Sequence, residues 1–289
     1  VNENHYITLW PAGPQTDNSE TERNSMSASL SSGRALPKRV RNELRFRQLT
    51  VSQKTLVAGK FWRVEFTSEA LAGYHSPGFD DHSKIFFPDP QTGKLLLPQV
   101  TDEGIAWPDG ERPLSRDYTP LFFDGKTRLT LDFFRHEHGV ASQWAEQAQA
   151  GDSLAIGGPR GSMIIPVDYR VQLLAFDESG LPAVQRRLAE TQAERLILLA
   201  FTDETLVKNY LPNLPAKAEL TCFGSGTMNS EGIERCRQQL ASLQLPEDDY
   251  FIWLTGEGEA VKVLNDYFIE QRRCHPGLVR GVAYWHRKG

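Results

Sequence analysis

Cysteine is scarce in this chain. The three present, Cys222, Cys236 and Cys274, form no CxxC pair. An odd, scattered set argues against a disulfide framework and fits reduced thiols in a reducing compartment. It also excludes a built-in iron–sulfur centre, which needs thiolates at cluster spacing. Long apolar runs are missing too. No stretch of eighteen apolar residues occurs, so no membrane span is expected, and the first residues show no basic-then-apolar leader. Positive charge is not in surplus: 32 Lys and Arg stand against 37 Asp and Glu, for a net charge of −5. That balance excludes a broad nucleic-acid surface and leaves any anionic ligand to a local basic pocket. A cytoplasmic monomer, with neither nucleic acid nor membrane among its partners, is the expectation.

The 39% apolar content suffices for packed cores, and 289 residues accommodate two ordinary domains. Residues 1–37 read as a disordered tail: polar, with Ser25, Ser27, Ser29, Ser31 and Ser32 close together, and no sustained periodicity. Met26 offers a natural start within it. From 38 to 167 the segments are short and broken by Gly and Pro. Residues 61–66 alternate as a half-buried strand does. Residues 85–87, 95–97, 129–134 and 154–156 are further strand candidates. Turns at Pro77-Gly78, Pro90-Gln91-Thr92-Gly93, Pro108-Asp109-Gly110 and Asp124-Gly125 separate them. This texture predicts an antiparallel β-barrel, interrupted by one helix with Ala141, Trp144, Ala145 and Ala148 at helical spacing. From 168 to 289, apolar runs at 171–176, 196–201, 220–223, 250–254 and 279–285 alternate with helical stretches at 182–190, 233–243 and 260–270. In the last of these, Val261, Leu264 and Phe268 share a face. Apolar strands between helices predict a parallel sheet covered on both sides. The fold class is therefore two-domain, β followed by α/β, with a boundary near 166–170 and no internal repeat.

Two short segments carry chemistry. In Arg116-Asp117-Tyr118-Thr119, Arg116 offers a charged fork for a phosphate. Tyr118 offers a flat ring for an isoalloxazine, and Thr119 a hydroxyl for a flavin nitrogen. Further on, His138-Gly139-Val140-Ala141-Ser142 turns at Gly139 and opens a helix whose first N–H groups can meet a pyrophosphate. The first segment alone reads equally as a strand edge with a surface Arg and a core Tyr. Both segments in this order, ahead of an α/β half, predict an FAD-binding barrel. Asp132, His136 and Ser142 are expected beside the same cofactor, although His136 also reads as a rim histidine bonded to the backbone and Asp132 as a strand-end cap. His136 and His138 have no third ligand at convincing spacing, so no metal is expected.

In the second half, Asp177-Glu178-Ser179-Gly180-Leu181-Pro182 follows the first parallel run. Pro182 suits a helix's first turn, and Ser179 or Gly180 its cap. Thr255-Gly256-Glu257-Gly258-Glu259 holds the same kind of position after a later run. Nucleotides dock where strand ends lead into helices in open parallel sheets. A nicotinamide dinucleotide across Glu178, Ser179, Gly256 and Glu257 is therefore expected, with the acids facing ribose or nicotinamide rather than phosphate. Gly224-Ser225-Gly226-Thr227-Met228-Asn229 imitates a GxGxxG fingerprint. Asn229 replaces its third glycine, however, and the segment follows the third strand rather than the first, so it reads as a loop. Gly157-Gly158-Pro159-Arg160-Gly161-Ser162 reads as a tight turn from which Arg160 projects toward a cleft.

Together these residues resemble the siderophore-interacting flavoproteins, the cytoplasmic NADPH-dependent ferric-siderophore reductases. The matching segments include Val40-Arg41-Asn42-Glu43-Leu44-Arg45-Phe46-Arg47, Phe79-Asp80-Asp81-His82-Ser83-Lys84, residues 115–119, 132–144, 158–162, 177–182 and 250–258, and the ending Ala283-Tyr284-Trp285-His286. The resemblance runs from about Arg39 to Lys288. Where the family pattern is Arg-x-Tyr-Thr-x-Arg, the last position here is Leu121. The resemblance implies a ferredoxin-reductase-like pair of domains, with FAD on the barrel and NADPH, or alternatively NADH, on the α/β half. It implies hydride transfer from NADPH to the flavin and single electrons to chelated Fe(III). It also implies a ferric siderophore substrate of the anionic catecholate type, drawn to a basic pocket. Lys84, Arg160 and Arg280 are the candidates for that pocket, each otherwise readable as solvated surface charge. Two other classes stay open: a general NAD(P)H:flavin or quinone reductase serving a small acceptor, and a non-enzymatic siderophore-binding flavoprotein.

Overall fold

The computed structural model describes residues 33–108, 112–137 and 139–287. Expectations for residues 1–32, for the Asp109-Gly110 turn, for His138 and for Lys288 lie outside the described residues.

Turn residues punctuate the first half into β1 (Lys38–Arg41), β2 (Phe46–Val57), β3 (Phe61–Thr67), β4 (Ser83–Phe86), β5 (Gln99–Thr101), β6 (Gly104–Ala106), β7 (Ser115–Tyr118), β8 (Pro120–Phe123) and β9 (Arg128–Phe134). Helix α1 (Val140–Gln147) follows, then β10 (Ser153–Gly157) and β11 (Gly161–Ile164). Seven of these strands form one antiparallel sheet in the order β7-β4-β10-β2-β3-β9-β8. β7 and β8 occupy opposite edges of that sheet, yet Thr119 alone joins them in the chain. One intervening residue spans about 7 Å at most. The sheet must therefore roll until its edges meet at Thr119, which makes it the expected barrel with a seam at that residue. Alternating side chains such as Val64, Phe66, Leu131 and Phe133 fill the interior, and α1 lays Ala141, Trp144 and Ala145 on the same core.

Residues 95–97 form no strand. Only Leu96 among these leucines is buried, and the run is pinched between the Thr92-Gly93 turn and Pro98, which has no N–H for a ladder.

In the second half, β12 (Val171–Phe176), β13 (Arg195–Ala200), β14 (Ala218–Cys222), β15 (Tyr250–Glu257) and β16 (Val279–Trp285) make a parallel sheet in the order β14-β13-β12-β15-β16. Helices α2 (Leu181–Glu190), α3 (Glu204–Tyr210), α4 (Ser230–Leu240) and α5 (Gly258–Asp266) connect them. β12 and β15 are buried at every position, as a sheet covered on both faces requires. Helix α3 was not expected, because seven residues hold too few turns to display a period. Strand order reverses between β12 and β15, so the loops after these two strands flank one crevice.

The two halves share a core. Phe61 and Phe79 belong to the buried cluster of the parallel sheet, and each fully buried Phe contributes about 1.5–3 kcal/mol. Arg186 on α2 donates to the Pro120 carbonyl at 2.9 Å and the Ser76 carbonyl at 2.6 Å. The polar tail also stops short of its expected end. Arg34 pairs with Asp168 at 3.0 Å and Asp249 at 2.9 Å, Tyr169 donates to the Ala35 carbonyl, and Leu36 packs on the second core. One arginine between two acids and one leucine are enough to dock residues 34–36.

Candidate functional site

β7 delivers the first motif. Period-two alternation puts Arg116 and Tyr118 on one face of the strand and Asp117 on the other. The Tyr118 ring lies 4.6 Å from Phe133, and Phe133 lies 5.7 Å from Trp144 on α1. One phenylalanine thus links the tyrosine to the helix that carries the second motif. Arg116 donates from Nη1 to the Ser115 carbonyl at 2.7 Å. Thr119, only 6% exposed at the seam, has its hydroxyl 3.5 Å from that of Tyr284 on β16. Burial pushes the Tyr284 phenol up, so it keeps its proton.

Gly139 precedes α1 with φ 121°, no side chain caps this helix, and its first turn carries no acid. Ser142 braces the loop: its Oγ accepts from the His136 N–H at 3.1 Å and donates to the His136 carbonyl at 2.8 Å. His136 itself lies on the rim with its ring against Gly139, where a Cβ would come within 2.8 Å of His136 Cε1. Among the described residues no side chain caps the start of α1, at Val140 and Ala141, which is therefore an electropositive end. A cation, an aromatic plate, a hydroxyl and an uncapped helix end fit a flavin dinucleotide. Asp132, expected beside them, is engaged elsewhere. Arg63 donates to it from Nε at 2.8 Å and from Nη2 at 2.7 Å, and the Tyr210 hydroxyl donates as well. Its side chain is 0% exposed, and this cluster bonds the barrel to α3.

The crevice between β12 and β15 gathers the second set. Asp177 Oδ1 accepts from Ser179 N–H at 2.9 Å and Ser179 Oγ at 2.5 Å, while Oδ2 accepts from Trp285 Nε1 at 2.6 Å. Burial pushes this carboxyl up to about 6. Glu178 accepts from Thr202 Oγ1 at 2.8 Å. Gly180, not Ser179, precedes α2, with Pro182 in its first turn. At Gly256, with φ 131°, a Cβ would come within 2.2 Å of Met228 Sδ and 2.8 Å of Asp177 Oδ2, so glycine is what lets the two strand ends meet. Glu257 caps α5, accepting from Ala260 N–H at 3.0 Å, and its other oxygen accepts from Arg287 N–H at 3.2 Å. Both its oxygens serve the fold. The loop at 224–229 ends with Asn229 capping α4, accepting from Gly232 N–H at 3.0 Å.

Lys84 belongs to the 80–84 stretch and Arg280 contacts it, while Arg160 lies in the turn after β10, the ladder partner of β4. Lys84 on β4 is the ladder partner of Gly157, one step before the turn that holds Arg160. Its Nζ is 2.9 Å from Asp117 Oδ1, across the β4–β7 pair. Arg280 on β16 reaches the same stretch, donating from Nε to Asp80 Oδ2 at 2.6 Å. Leu121, which stands where the family pattern has arginine, is buried just past the seam.

Residues 50–163 match the siderophore-interacting FAD-binding domain, and residues 169–288 match the siderophore-interacting protein family. A protein of Escherichia coli (strain K12) named NADPH-dependent ferric-chelate reductase is 46% identical over 261 residues, covering 87% of this chain and 97% of its own. The chain belongs to the siderophore-interacting protein family. Its first half is accordingly an FAD-binding domain. The crystal structure of a siderophore utilization protein from T. fusca is similar at a TM-score of 0.73 and 30% identity, over 88% of this chain and 97% of that one. A ferredoxin reductase of carbazole 1,9a-dioxygenase, 16% identical with a TM-score of 0.59 over 84% of this chain and 68% of its own, shares the fold. The architecture is thus ferredoxin-reductase-like.

Two neighbours of these sites, Arg63 and Tyr210, escaped the sequence, and Tyr284 and Trp285 were read only as part of the ending that carries the resemblance, without a role. Arg63 gave no signal of its own, because it stands with Glu65 on the polar phase of the alternation. Among the described residues, no group of three or more His, Cys, Asp or Glu is placed to hold a metal, and no helix is long and apolar enough to cross a membrane.

Proposed function

We propose that this protein is a flavin-dependent ferric-siderophore reductase that moves electrons from NADPH through FAD to chelated Fe(III) and releases Fe(II). The observation that carries the reading is a convergence. β7, which carries the flavin-type residues, pairs through Asp117 with Lys84 of β4, and Thr119, next in the chain, meets Tyr284 on β16, the strand that also carries Arg280. FAD supplies the conversion of a two-electron donor into one-electron steps. Overall, one NADPH becomes NADP⁺ and a proton while two Fe(III) become Fe(II).

Arg116 and the N–H groups opening α1 at Gly139, Val140 and Ala141 would hold the pyrophosphate, with Tyr118 against the ring system and Thr119 at its polar edge. Ser142 and His136 brace that loop, and Asp132 fixes the barrel to the α/β half behind it. Glu178, Ser179, Gly256 and Glu257 line the crevice for the nicotinamide dinucleotide, whose phosphates stay clear of the acids. The domains of this reading are residues 38–167 and 168–289.

Lys84, Arg160 and Arg280 form a local positive cleft on a chain of net charge −5. Such a cleft favours an anionic chelate, of the catecholate type. Iron is cargo here. The cleft need only bring the chelate near the flavin edge, and ferrous iron then leaves its hard oxygen donors readily. The free cysteines Cys222, Cys236 and Cys274 suit a reducing, cytoplasmic compartment, and the protein is proposed to act as a monomer.

The test mixes the purified yellow protein with NADPH, a ferric tris-catecholate and a ferrous trap. Bleaching of the visible flavin band, followed by two trapped Fe(II) per NADPH, is expected. Bleaching without trapped iron would point to a general flavin or quinone reductase, and no bleaching to a binding protein.

A further inference from the structure

Asp80 lies just before β4, in the connection that leads into the basic cleft. Its side chain is 0% exposed. Oδ2 accepts from Arg280 Nε at 2.6 Å and from Trp253 Nε1 at 3.0 Å. The indole's direction is fixed, because its ring meets Phe79 edge-on at 5.2 Å and Tyr284 at 6.2 Å. Oδ1 is buried and has no hydrogen-bond partner.

This pair differs from the other buried Arg–Asp contact described, Arg63 with Asp132. Arg63 spends both Nε and Nη2 on Asp132 in a closed fork. Arg280 spends Nε alone, and among the described residues neither of its Nη atoms has a protein acceptor. Its side chain is 28% exposed. A guanidinium gripped at Nε keeps an edge of N–H donors turned outward, in the planar geometry that suits carboxylate or catecholate oxygens.

The arrangement is poor as a stability device. A carboxylate taken out of water with one oxygen unpartnered costs free energy, and an apolar or neutral side chain of similar size is often as stable or more so. It is also poor as an electrostatic device, since an anion beside Arg280 weakens the pull on an anionic substrate. What it does provide is direction.

We infer that Asp80 is a positioning residue of the substrate cleft: it holds Arg280 by Nε, so that the outward N–H edge of that arginine is fixed to receive the anionic oxygens of the ferric chelate. This rests on Arg280 being a substrate contact, as proposed above. The two roles open to Asp80 have opposite signs. A positioning residue, when removed, weakens chelate binding. A mere counter-charge, when removed, strengthens it.

The test is steady-state reduction of a ferric tris-catecholate at saturating NADPH. Asp80→Ala is expected to raise KM about tenfold, the loss of one oriented charged hydrogen bond, with kcat and the rate of flavin bleaching by NADPH changed less than about twofold. Asp80→Asn keeps an acceptor for Nε and drops the charge, so its KM is expected at or below that of the wild type. Arg280→Ala should raise KM as Asp80→Ala does, and the double variant should rise no further. A lowered KM for Asp80→Ala, or additive effects in the double variant, would overturn the proposal. Arg280→Lys keeps the ion pair but lacks the outward N–H edge. A raised KM supports the proposal and a wild-type KM overturns it, even if Asp80→Ala does not fold. If Arg280→Ala leaves KM unchanged, it is the substrate reading of the cleft that fails first.

Discussion

Replacing Gly139 with alanine tests the helix-end half of the flavin site. The backbone there has φ 121°, a conformation that costs an L-residue about 1–3 kcal/mol. The new Cβ would stand 2.8 Å from His136 Cε1. The ring can turn, but its backbone cannot follow freely, because Ser142 holds both the N–H and the carbonyl of His136. Relief by rotating φ swings the N–H groups that open α1 away from their present direction. Binding must then restore the strained conformation, which weakens the dinucleotide by about 1–3 kcal/mol, or roughly 5- to 150-fold in Kd. The assay is FAD titration of flavin-stripped protein, followed by quenching of flavin fluorescence. Gly125→Ala is the control. That glycine, between β8 and β9, has φ 80° and nothing within 4 Å of its Cβ, so the variant carries comparable strain away from the site and should keep the wild-type Kd. A Kd for Gly139→Ala within about twofold of the wild type would refute the assignment of α1 to the pyrophosphate, given that strain.

Tyr210→Phe removes one donor from the buried Asp132 and leaves the Arg63 fork in place; calorimetry should show about 1–3 kcal/mol of lost stability, and an unchanged Tm would deny this link a role in joining the domains. Lys84→Ala combined with Arg160→Ala should raise KM for an anionic ferric chelate and flatten its salt dependence; unchanged kinetics at low salt would remove both residues from the cleft. Burial pushes the Asp177 carboxyl up to about 6 from an ordinary 3.8. A raised carboxyl contributes stability that is fully present below about pH 4 and is lost as pH rises through 6, up to about 3 kcal/mol. Asp177→Asn lacks that titration, so urea unfolding should show its stability gaining on the wild type between pH 4.5 and 7. Parallel curves would contradict the assignment.

The parallel sheet was legible because burial on two faces writes itself as consecutive apolar residues, as in β12 and β15. The barrel was legible through its turns rather than its strands, which is why residues 95–97 misled: strand propensity says nothing of whether a neighbour with free N–H and C=O groups exists. The cofactor segments were readable as types of side chain. Their partners were not, since partners depend on register and on contacts distant in sequence. Asp132 and Tyr210 are 78 residues apart, and Asp80 and Arg280 are 200 apart. Lys84 and Asp117 both lie in segments that carry the family resemblance, yet only the β4–β7 ladder makes them counter-ions. Residues 34–36 looked like tail because three residues carry too little pattern to reveal a docking contact.

No ladder pairs β7 with β8, and a single threonine stitches these two rims together. A cylinder closed by hydrogen bonds can slip or gape along its join, but one sewn by the chain itself cannot slide at that end by more than a single residue's reach. Whatever moves the plate at Tyr118 must therefore tug on Pro120, whose carbonyl α2 already grips. This junction between the two halves is thus ill placed to accept an inserted residue, and breathing of the rolled wall should start at its far end.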